Sequence, residues 1–317
     1  MRFGFSIPTR GALGGPETIR RLAEAAEQLQ YDSVWITDHV VLPRQTAGTY
    51  PYDPAGRWDL EAAQHYLEAL TVMSYAAGLT RRVRVGSSIL VLPQRNPVLV
   101  AKAVATLDVL TGGRVILAVG VGWLKEEFEA LGVRSFAERG AVTDEYIRLL
   151  RALWTEEWPS FRGRFYTLEE VRFFPKPVQR PHPPIWIGGH TPPALRRAGR
   201  LGDGWHPIGL RPPAGLRPDE YSQAAAEVRA HAQAAGRDLG GFTFSFRAPL
   251  HLTPERLPAG RTPFHGDPEQ VVEDIRAYQR AGVSHLVFDL PGASLDALLV
   301  SLRRFAEEVR PLAQAGP

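Results

Sequence analysis

Short apolar segments alternate with longer segments of helical periodicity along the whole chain. In residues 16–29, for example, Ile19, Leu22, Ala23 and Ala26 recur at intervals of three and four, which places them on one face of a helix. The apolar segments are continuous rather than alternating, as is typical of strands covered on both faces. The pattern predicts strands at 2–8, 33–37, 83–91, 113–122, 183–189, 203–209, 241–250 and 284–291, each followed by a helix, at 16–29, 67–79, 96–110, 124–154, 192–201, 218–236, 267–282 and 295–309.

Eight strands that each return through a helix favour one α/β domain over residues 1–317, a (β/α)8 TIM barrel. A doubly wound sheet is the alternative, but no GxGxxG motif opens the first helix, and Gly120 and Gly122 follow the fourth strand without a third glycine. Three segments exceed the usual length of a connection. They are insertions after strand 2 (40–65), before strand 5 (160–182) and after strand 7 (250–266).

Composition excludes several classes of protein. The chain has no cysteine, so it has neither disulfides nor thiolate ligands for a metal. Its basic residues form no tract of the kind that binds nucleic acid, and no apolar run approaches the ~20 residues that span a bilayer. We expect a cytoplasmic protein that acts on a small molecule and associates with neither nucleic acid nor membrane.

Asp38 and His39 follow the second strand, where a parallel barrel builds its active site. An imidazole at this position can exchange a proton near neutral pH. The alternative is a histidine that only hydrogen-bonds to the neighbouring backbone. His65, His190 and His206 complete the set of possible metal ligands, but no pair has a recognised spacing, so we expect no metal site.

The sequence Gly188-Gly189-His190-Thr191 lies between the fifth strand and the helix that begins at Pro192. Glycines allow close approach of the backbone to a ligand, and threonine is a good N-cap. The N-terminus of a helix attracts anions, so the segment indicates a phosphate site. The alternative is a tight turn without a ligand.

Five segments together resemble the luciferase-like monooxygenase family, and more narrowly its branch of coenzyme F420 (deazaflavin)-dependent oxidoreductases. They are WITDHVVLP, the run from VRVGSSILVLPQRNP to GWLKEEFEALG, ERGAVTDEYIRLLRALW, the run from FPKPVQRPHPPIWIGGHT to GDGWHP, and GVSHLVFDLPG. Their order and spacing match across residues 1–310. The fold of that family is a (β/α)8 barrel.

The resemblance implies a flavin or deazaflavin across the C-terminal mouth of the barrel. It implies a cis peptide bond between Ser88 and Ile89, behind the ring, and a phosphate site at GGHT. It also places Asp38 and His39 beside the reactive edge, with His39 in proton transfer and Asp38 orienting it or contacting the cofactor. The expected cofactor-binding residues are Ser87, Ser88, Ile89, Gly120, Gly122, Trp123, Gly188, Gly189, His190 and Thr191.

One departure bears on the substrate. The sugar-phosphate dehydrogenases of this family carry a glutamate where this chain has Trp123, so we expect a less polar substrate. Trp35, Trp58 and Trp205 add to an apolar pocket if they face inward. We expect hydride transfer between F420 and an apolar organic substrate.

Two alternatives to this activity remain. One is an FMN-dependent two-component monooxygenase supplied by a separate reductase, and the other is a non-catalytic flavin-binding barrel. We also expect a homodimer. The insertion 40–65 is interpreted as a lid over the substrate, with a subunit interface as the alternative.

Overall fold

Eight parallel strands form the centre of the computed structural model, which describes residues 1–44, 46, 48–58, 65–133 and 136–315. The barrel strands are β1 (Arg2–Ile7), β2 (Ser33–Ile36), β3 (Arg84–Ser87) with its continuation β4 (Leu90–Val91), β5 (Val115–Gly120), β8 (Ile185–Gly188), β9 (Gly204–His206), β10 (Thr243–Pro249) and β13 (His285–Asp289). Each pairs with its neighbours in parallel, and the pairing of β3 with β5 closes the ring. The predicted TIM barrel is therefore confirmed.

Helices connect the successive strands, as the periodicity predicts. They are α1 (Pro16–Gln28), α2 (Ala69–Leu79), α3 (Pro97–Thr111), α4 (Lys125–Ala130), α5 (Arg139–Thr155), α6 (Pro192–Leu201), α7 (Pro218–Ala234), α8 (Pro268–Arg280), α9 (Leu295–Arg304) and α10 (Arg310–Gln314). The helical region predicted at 124–154 is divided into α4 and α5, because the chain turns at Gly132 with a φ of +71°. None of the helices in the part of the chain that the structure describes combines the length and the apolar character of a bilayer-spanning segment.

Two of the three insertions contain short strands. The segment before β8 begins as an antiparallel hairpin of β6 (Phe161–Arg162) and β7 (Thr167–Leu168). In the segment after β10, β11 (His251–Leu252) pairs in parallel with β12 (His265–Gly266). In the insertion 40–65, residues 45, 47 and 59–64 lie outside the described part of the chain.

Two tryptophans fill the barrel interior. Trp35 on β2 and Trp186 on β8 are buried, and their ring centroids lie 5.1 Å apart. Glycines on neighbouring strands make the space: a Cβ on Gly86 would lie 2.5 Å from the Trp35 ring, and one on Gly204 would lie 2.5 Å from Trp186. A side chain at either glycine would displace the indole beside it.

A buried histidine, His206, packs against these indoles and hydrogen-bonds to two neighbouring segments of the barrel. The two ring nitrogens of His206 hydrogen-bond to the hydroxyls of Ser88 at 2.8 Å and Ser245 at 2.7 Å. The ring stacks on Trp35 with centroids 4.6 Å apart. Burial, reinforced by the nearby Arg247 guanidinium, lowers the pKa of His206 to about 3. His206 is therefore a neutral structural group at neutral pH.

The neutral state of His206 should make the free energy of unfolding depend on pH. The unfolded chain binds a proton at His206 below about pH 6.5, whereas the folded chain does not until about pH 3. Stability is therefore lost as the pH falls through this range. The difference in unfolding free energy between wild type and His206→Gln should narrow by up to ~1.4 kcal/mol per pH unit below pH 6.

Urea denaturation at pH 7, 6 and 5 measures this difference. His265→Gln is the matched control, because the His265 side chain is exposed. A difference for His206→Gln that stays constant across the three pH values would contradict the assignment.

Candidate active site

The floor of the C-terminal mouth is built around the segment that links β3 to β4. The peptide bond between Ser88 and Ile89 is cis, as the resemblance implied. A Cβ on Gly120 or on Gly188 would overlap the Ile89 side chain. These two predicted cofactor-binding glycines thus have a packing role here, and their contact with a cofactor stays a prediction. Ser87 is buried beside them, and its hydroxyl donates to the carbonyl of Ala118.

A buried arginine spans the mouth from the last strands to this floor. Arg247 Nη1 donates to the carbonyl of Ser88 at 2.8 Å, and Nε and Nη2 donate to Asp289 at 2.9 and 2.7 Å. Arg211 donates to the same carboxylate at 2.7 Å. Burial raises the pKa of Asp289, but the two guanidiniums outweigh burial and hold it at about 2. The network therefore carries two cations and one anion.

Asp38 stabilises the same floor by binding the chain that follows the cis peptide bond. Its carboxylate receives two hydrogen bonds from Arg95, at 2.7 and 2.8 Å, and one from the amide of Val91 at 2.8 Å. The carboxylate is fully buried. Burial raises its pKa, while Arg95 and the Val91 amide act in the opposite direction. Asp38 thus ties the end of β2 to the chain after β4.

The partner of His39 is a residue that the sequence did not single out. His39 Nδ1 lies 2.9 Å from Glu127 Oε2, and Glu127 Oε1 accepts from the amide of Val40 at 2.6 Å. Burial raises the pKa of Glu127, but the hydrogen bonds from His39 and Val40 outweigh it, and the pKa lies below its ordinary value. A carboxylate can only accept, so Nδ1 carries the proton, and Nε2 of the neutral ring has a free lone pair.

Aromatic side chains form the wall around this imidazole. The His39 ring lies 4.6 Å from Trp58 and 5.3 Å from Tyr66, centroid to centroid. Trp123 lies 5.4 Å from Trp58, and Tyr50 lies 5.3 Å from Trp123. Tyr50 and Trp58 belong to the insertion 40–65, whose role as lid or interface stays a prediction. The mouth beside His39 is therefore apolar.

Of the other tryptophans considered for this pocket, two lie elsewhere. Trp35 is in the barrel interior, and Trp205 is buried against Tyr221 at a centroid distance of 4.9 Å. Trp205 Nε1 donates to the carbonyl of Gly189 at 2.8 Å. It supports the turn at the end of β8 rather than lining the pocket.

The turn at residues 188–191 leads into α6, with Gly189 at a φ of +89° and Thr191 at the N-cap position. The Thr191 side chain makes no capping hydrogen bond. Pro192 and Pro193 have no N–H, and the Ala194 amide donates to the Thr191 carbonyl at 2.8 Å. An anion here would therefore meet the amides of the turn itself rather than those of the first helical turn.

His190 adds an unused polar atom to the turn. Its Nδ1 is buried without a hydrogen-bond partner among the described residues. Burial lowers the pKa of His190, so the ring offers a neutral donor or acceptor. A buried polar atom without a partner and a glycine turn together fit a phosphate-bearing cofactor.

Gly122, the remaining predicted site residue, has a φ of +79° and closely faces Val91 and Phe128. Its carbonyl accepts from Arg139 at 3.1 Å. No cluster of three or more histidine, aspartate or glutamate side chains in the described part of the chain is arranged to hold a metal.

Sequence reasoning missed Glu127, Arg95 and Arg247. Arg247 had a signal, because a charge inside the apolar strand "FTFSFRAPL" needs a buried partner. Glu127 and Arg95 had none, since each looks like an ordinary surface charge on or near a helix. Both find their partners only through contacts distant in sequence.

Asp38→Asn should test whether Asp38 holds the end of β2 to the chain after β4. The change removes the fully buried partner of Arg95 and leaves the partly exposed Glu68 carboxylate, 3.3 Å away, as its remaining ion-pair partner. We therefore expect a loss of ~3 kcal/mol of unfolding free energy, the lower end of the range for breaking a buried ion pair. Guanidinium denaturation followed by circular dichroism gives this value. Glu129→Gln is the control, because the Lys125–Glu129 pair is exposed and should contribute less than ~0.5 kcal/mol. A loss below ~1 kcal/mol for Asp38→Asn would mean that Asp38 does not hold the end of β2 to the chain after β4.

Comparison with known proteins places this site in a family. The model of the luciferase-like monooxygenase family matches residues 1–259. The F420-dependent glucose-6-phosphate dehydrogenase of Amycolatopsis mediterranei is 30% identical, over 95% of this chain and 96% of that protein. The phthiodiolone/phenolphthiodiolone dimycocerosates ketoreductase of Mycobacterium bovis is 31% identical, over 90% of this chain and 75% of that protein.

A solved structure has the same architecture. The monooxygenase RslO1 of Streptomyces bottropensis superposes with a TM-score of 0.80 at 23% identity, over 98% of this chain and 99% of that one. The protein thus has the fold of a luciferase-like TIM barrel with a histidine–carboxylate pair at its mouth. The chain belongs to the luciferase-like monooxygenase family, and its F420-dependent relatives support an oxidoreductase activity in general.

Proposed function

We propose that the protein is an F420-dependent oxidoreductase that interconverts an apolar carbonyl compound and the corresponding alcohol. The observation that carries the proposal is His39, held by a buried carboxylate and surrounded by Trp58, Tyr66 and Trp123. A carbonyl–alcohol interconversion moves one hydride and one proton. The imidazole suits the proton, and the aromatic wall suits an apolar substrate.

The deazaflavin, when bound, supplies the hydride or accepts it. His39 transfers the proton through Nε2, which is available because Nδ1 donates to Glu127. In the direction of alcohol oxidation Nε2 removes the hydroxyl proton; in the direction of carbonyl reduction it returns the proton to the oxygen. Glu127 fixes the tautomer and stabilises the charged ring. The aromatic wall keeps water away from the reacting atoms.

Two parts of the mouth would hold the cofactor. Ser88 and Ile89 form a floor behind the ring, with the Ser88 carbonyl fixed by Arg247. The turn 189–191 would receive a phosphate, and His190 Nδ1 would gain the partner that it lacks. These assignments agree with the F420 dependence in the name of the Amycolatopsis mediterranei relative.

Trp123 argues against a sugar phosphate as the substrate. A phosphorylated sugar needs hydrogen-bond donors and cations, whereas Trp123 packs with Trp58 and Tyr50. A ketoreductase among the relatives supports carbonyl chemistry within the same family.

The cofactor is tested by calorimetric titration of the purified protein with F420 and with FMN. We expect F420 to bind at least tenfold more tightly, and His190→Ala to weaken its binding. His231→Ala, a change on the outer helix α7, should leave the affinity unchanged. Tighter binding of FMN, with oxygen consumption when reduced FMN is supplied, would favour the monooxygenase instead.

Turnover is tested with reduced F420 and acetophenone, and in the opposite direction with 1-phenylethanol or glucose 6-phosphate. We expect reaction with the phenyl compounds and none with the sugar phosphate. His39→Ala should lower kcat by ~10²-fold or more, the scale of a positioned acid–base group. His231→Ala is a control outside the mouth.

Glu127→Gln should lower kcat with little change in KM, because an amide can donate as well as accept and no longer fixes the tautomer. Glu127→Asp should recover part of the rate. Activity near wild type in folded His39→Ala would contradict the proposed role of His39, whatever the cofactor.

A further inference from the structure

A second cleft opens at the opposite end of the barrel, where the strands begin. Its volume is about 580 Å³, within the ~300–1,000 Å³ typical of small-molecule sites. Arg2 and Arg84 begin β1 and β3, Thr243 begins β10, and Pro184 immediately precedes β8. This end of a barrel ordinarily serves stability alone, so an open, charged cleft here calls for a separate explanation.

The charge of the cleft is predominantly positive. Asp203 and Asp238 are the two carboxylates in its lining, against four arginines: Arg2, Arg84, Arg180 and Arg237. Asp203 is already engaged, since it accepts from Arg151 outside the cleft at 2.8 Å and from the amide of Ile185 at 2.9 Å. The cationic groups therefore exceed the anions available to neutralise them.

Arg2 and Arg84 are the clearest excess cations. Arg84 donates to neutral acceptors, the Gln179 side chain at 3.0 Å and the Val115 carbonyl at 3.4 Å. Neither arginine forms an ion pair with a carboxylate of the described residues. Burial and then the like charge of Arg2 lower the pKa of Arg84, while the Asp108 carboxylate, which accepts from Gln179, acts in the opposite direction. Two guanidiniums close enough to repel each other, neither of them in an ion pair with a carboxylate, form a receptor for an oxyanion.

The other two arginines are held in place by backbone carbonyls. Arg237 donates to Gly199 at 2.6 Å and Gly202 at 2.8 Å, and it lies 3.8 Å from Asp203. Arg180 donates to Pro177. The carbonyl contacts fix both side chains without neutralising them, and Asp203 offsets part of the charge of Arg237 alone.

An apolar surface borders the charged one. Leu239 and Phe242 lie in the loop between α7 and β10, and Pro181 lies in the segment before β8. Gly241 in that loop has a φ of +83°, with open space where a Cβ would stand. The cleft thus offers both a charged and an apolar surface to one ligand.

We propose that this cleft binds a small organic anion whose carboxylate or phosphate head lies between Arg2 and Arg84. The apolar body of the ligand packs along the loop that contains Leu239 and Phe242. The site is independent of the chemistry at the opposite mouth, and neither the cofactor nor the substrate proposed there is required for it.

Calorimetric titration at low ionic strength tests the proposal with three probes: phenyl phosphate, phenylacetate and benzyl alcohol. The two anions share the aromatic body of the neutral alcohol and differ from each other in their head group. We expect saturable binding of at least one anion and none of the alcohol. Arg2→Gln should weaken that binding tenfold or more, and Arg84→Gln should do the same.

The Arg2→Gln variant separates a loss of binding from a loss of folding, because the Arg2 side chain is exposed and its replacement should not affect folding. Two controls locate the bound anion. Arg280→Gln removes an exposed charge from α8 and should have no effect. His190→Ala changes the proposed phosphate turn at the other mouth, so unchanged affinity there assigns the probe to the cleft.

Several results would overturn the proposal. They are the absence of saturable binding, equal binding of the neutral probe, unchanged affinity in Arg2→Gln, or loss of affinity in His190→Ala alone. The last result would place the anion at the C-terminal mouth. Because F420 binding is measured separately, failure of this proposal and failure of the proposed function are distinguishable.

Discussion

The buried guanidinium of Arg247 connects the parts of the mouth that carry the chemistry. It bonds to the Ser88 carbonyl on one side and to Asp289 on the other, so the third and last strands of the barrel are fixed to each other. A buried arginine is stable only when its donors are satisfied. The Ser88–Ile89 floor and the carboxylate at the end of β13 satisfy them together. The shape of the floor is therefore set electrostatically as well as by packing.

Three carboxylates surround this floor, and their different partners give them different roles. Asp289 neutralises arginines, and Asp38 is bound to Arg95. Glu127 faces an imidazole instead. Only the last arrangement leaves a reactive atom, because a guanidinium keeps its protons whereas a histidine can exchange one. The contrast explains why the His39–Glu127 pair, rather than the adjacent Asp38, is the candidate for proton transfer.

The sequence was sufficient for the architecture, because strand–helix alternation is a local pattern that eight units repeat. It also located the mouth and, through resemblance, the cis bond at Ser88. It did not predict the partners of His39 and Asp38, since Glu127 and Arg95 lie 88 and 57 residues away from them. Gly120 and Gly188 were predicted to face a ligand, but their neighbour is Ile89. A glycine pattern indicates close approach without saying what approaches.

The central claim is that Glu127 holds His39 with Nε2 free for proton exchange. Nitrogen-15 NMR of histidine-labelled protein, with His39→Ala to assign the resonance, measures which ring nitrogen carries the proton in the neutral form. We expect a protonated Nδ1 and an unprotonated Nε2 in wild type, and loss of that preference in Glu127→Gln. A wild-type ring protonated at Nε2, or a tautomer unchanged in Glu127→Gln, would contradict it.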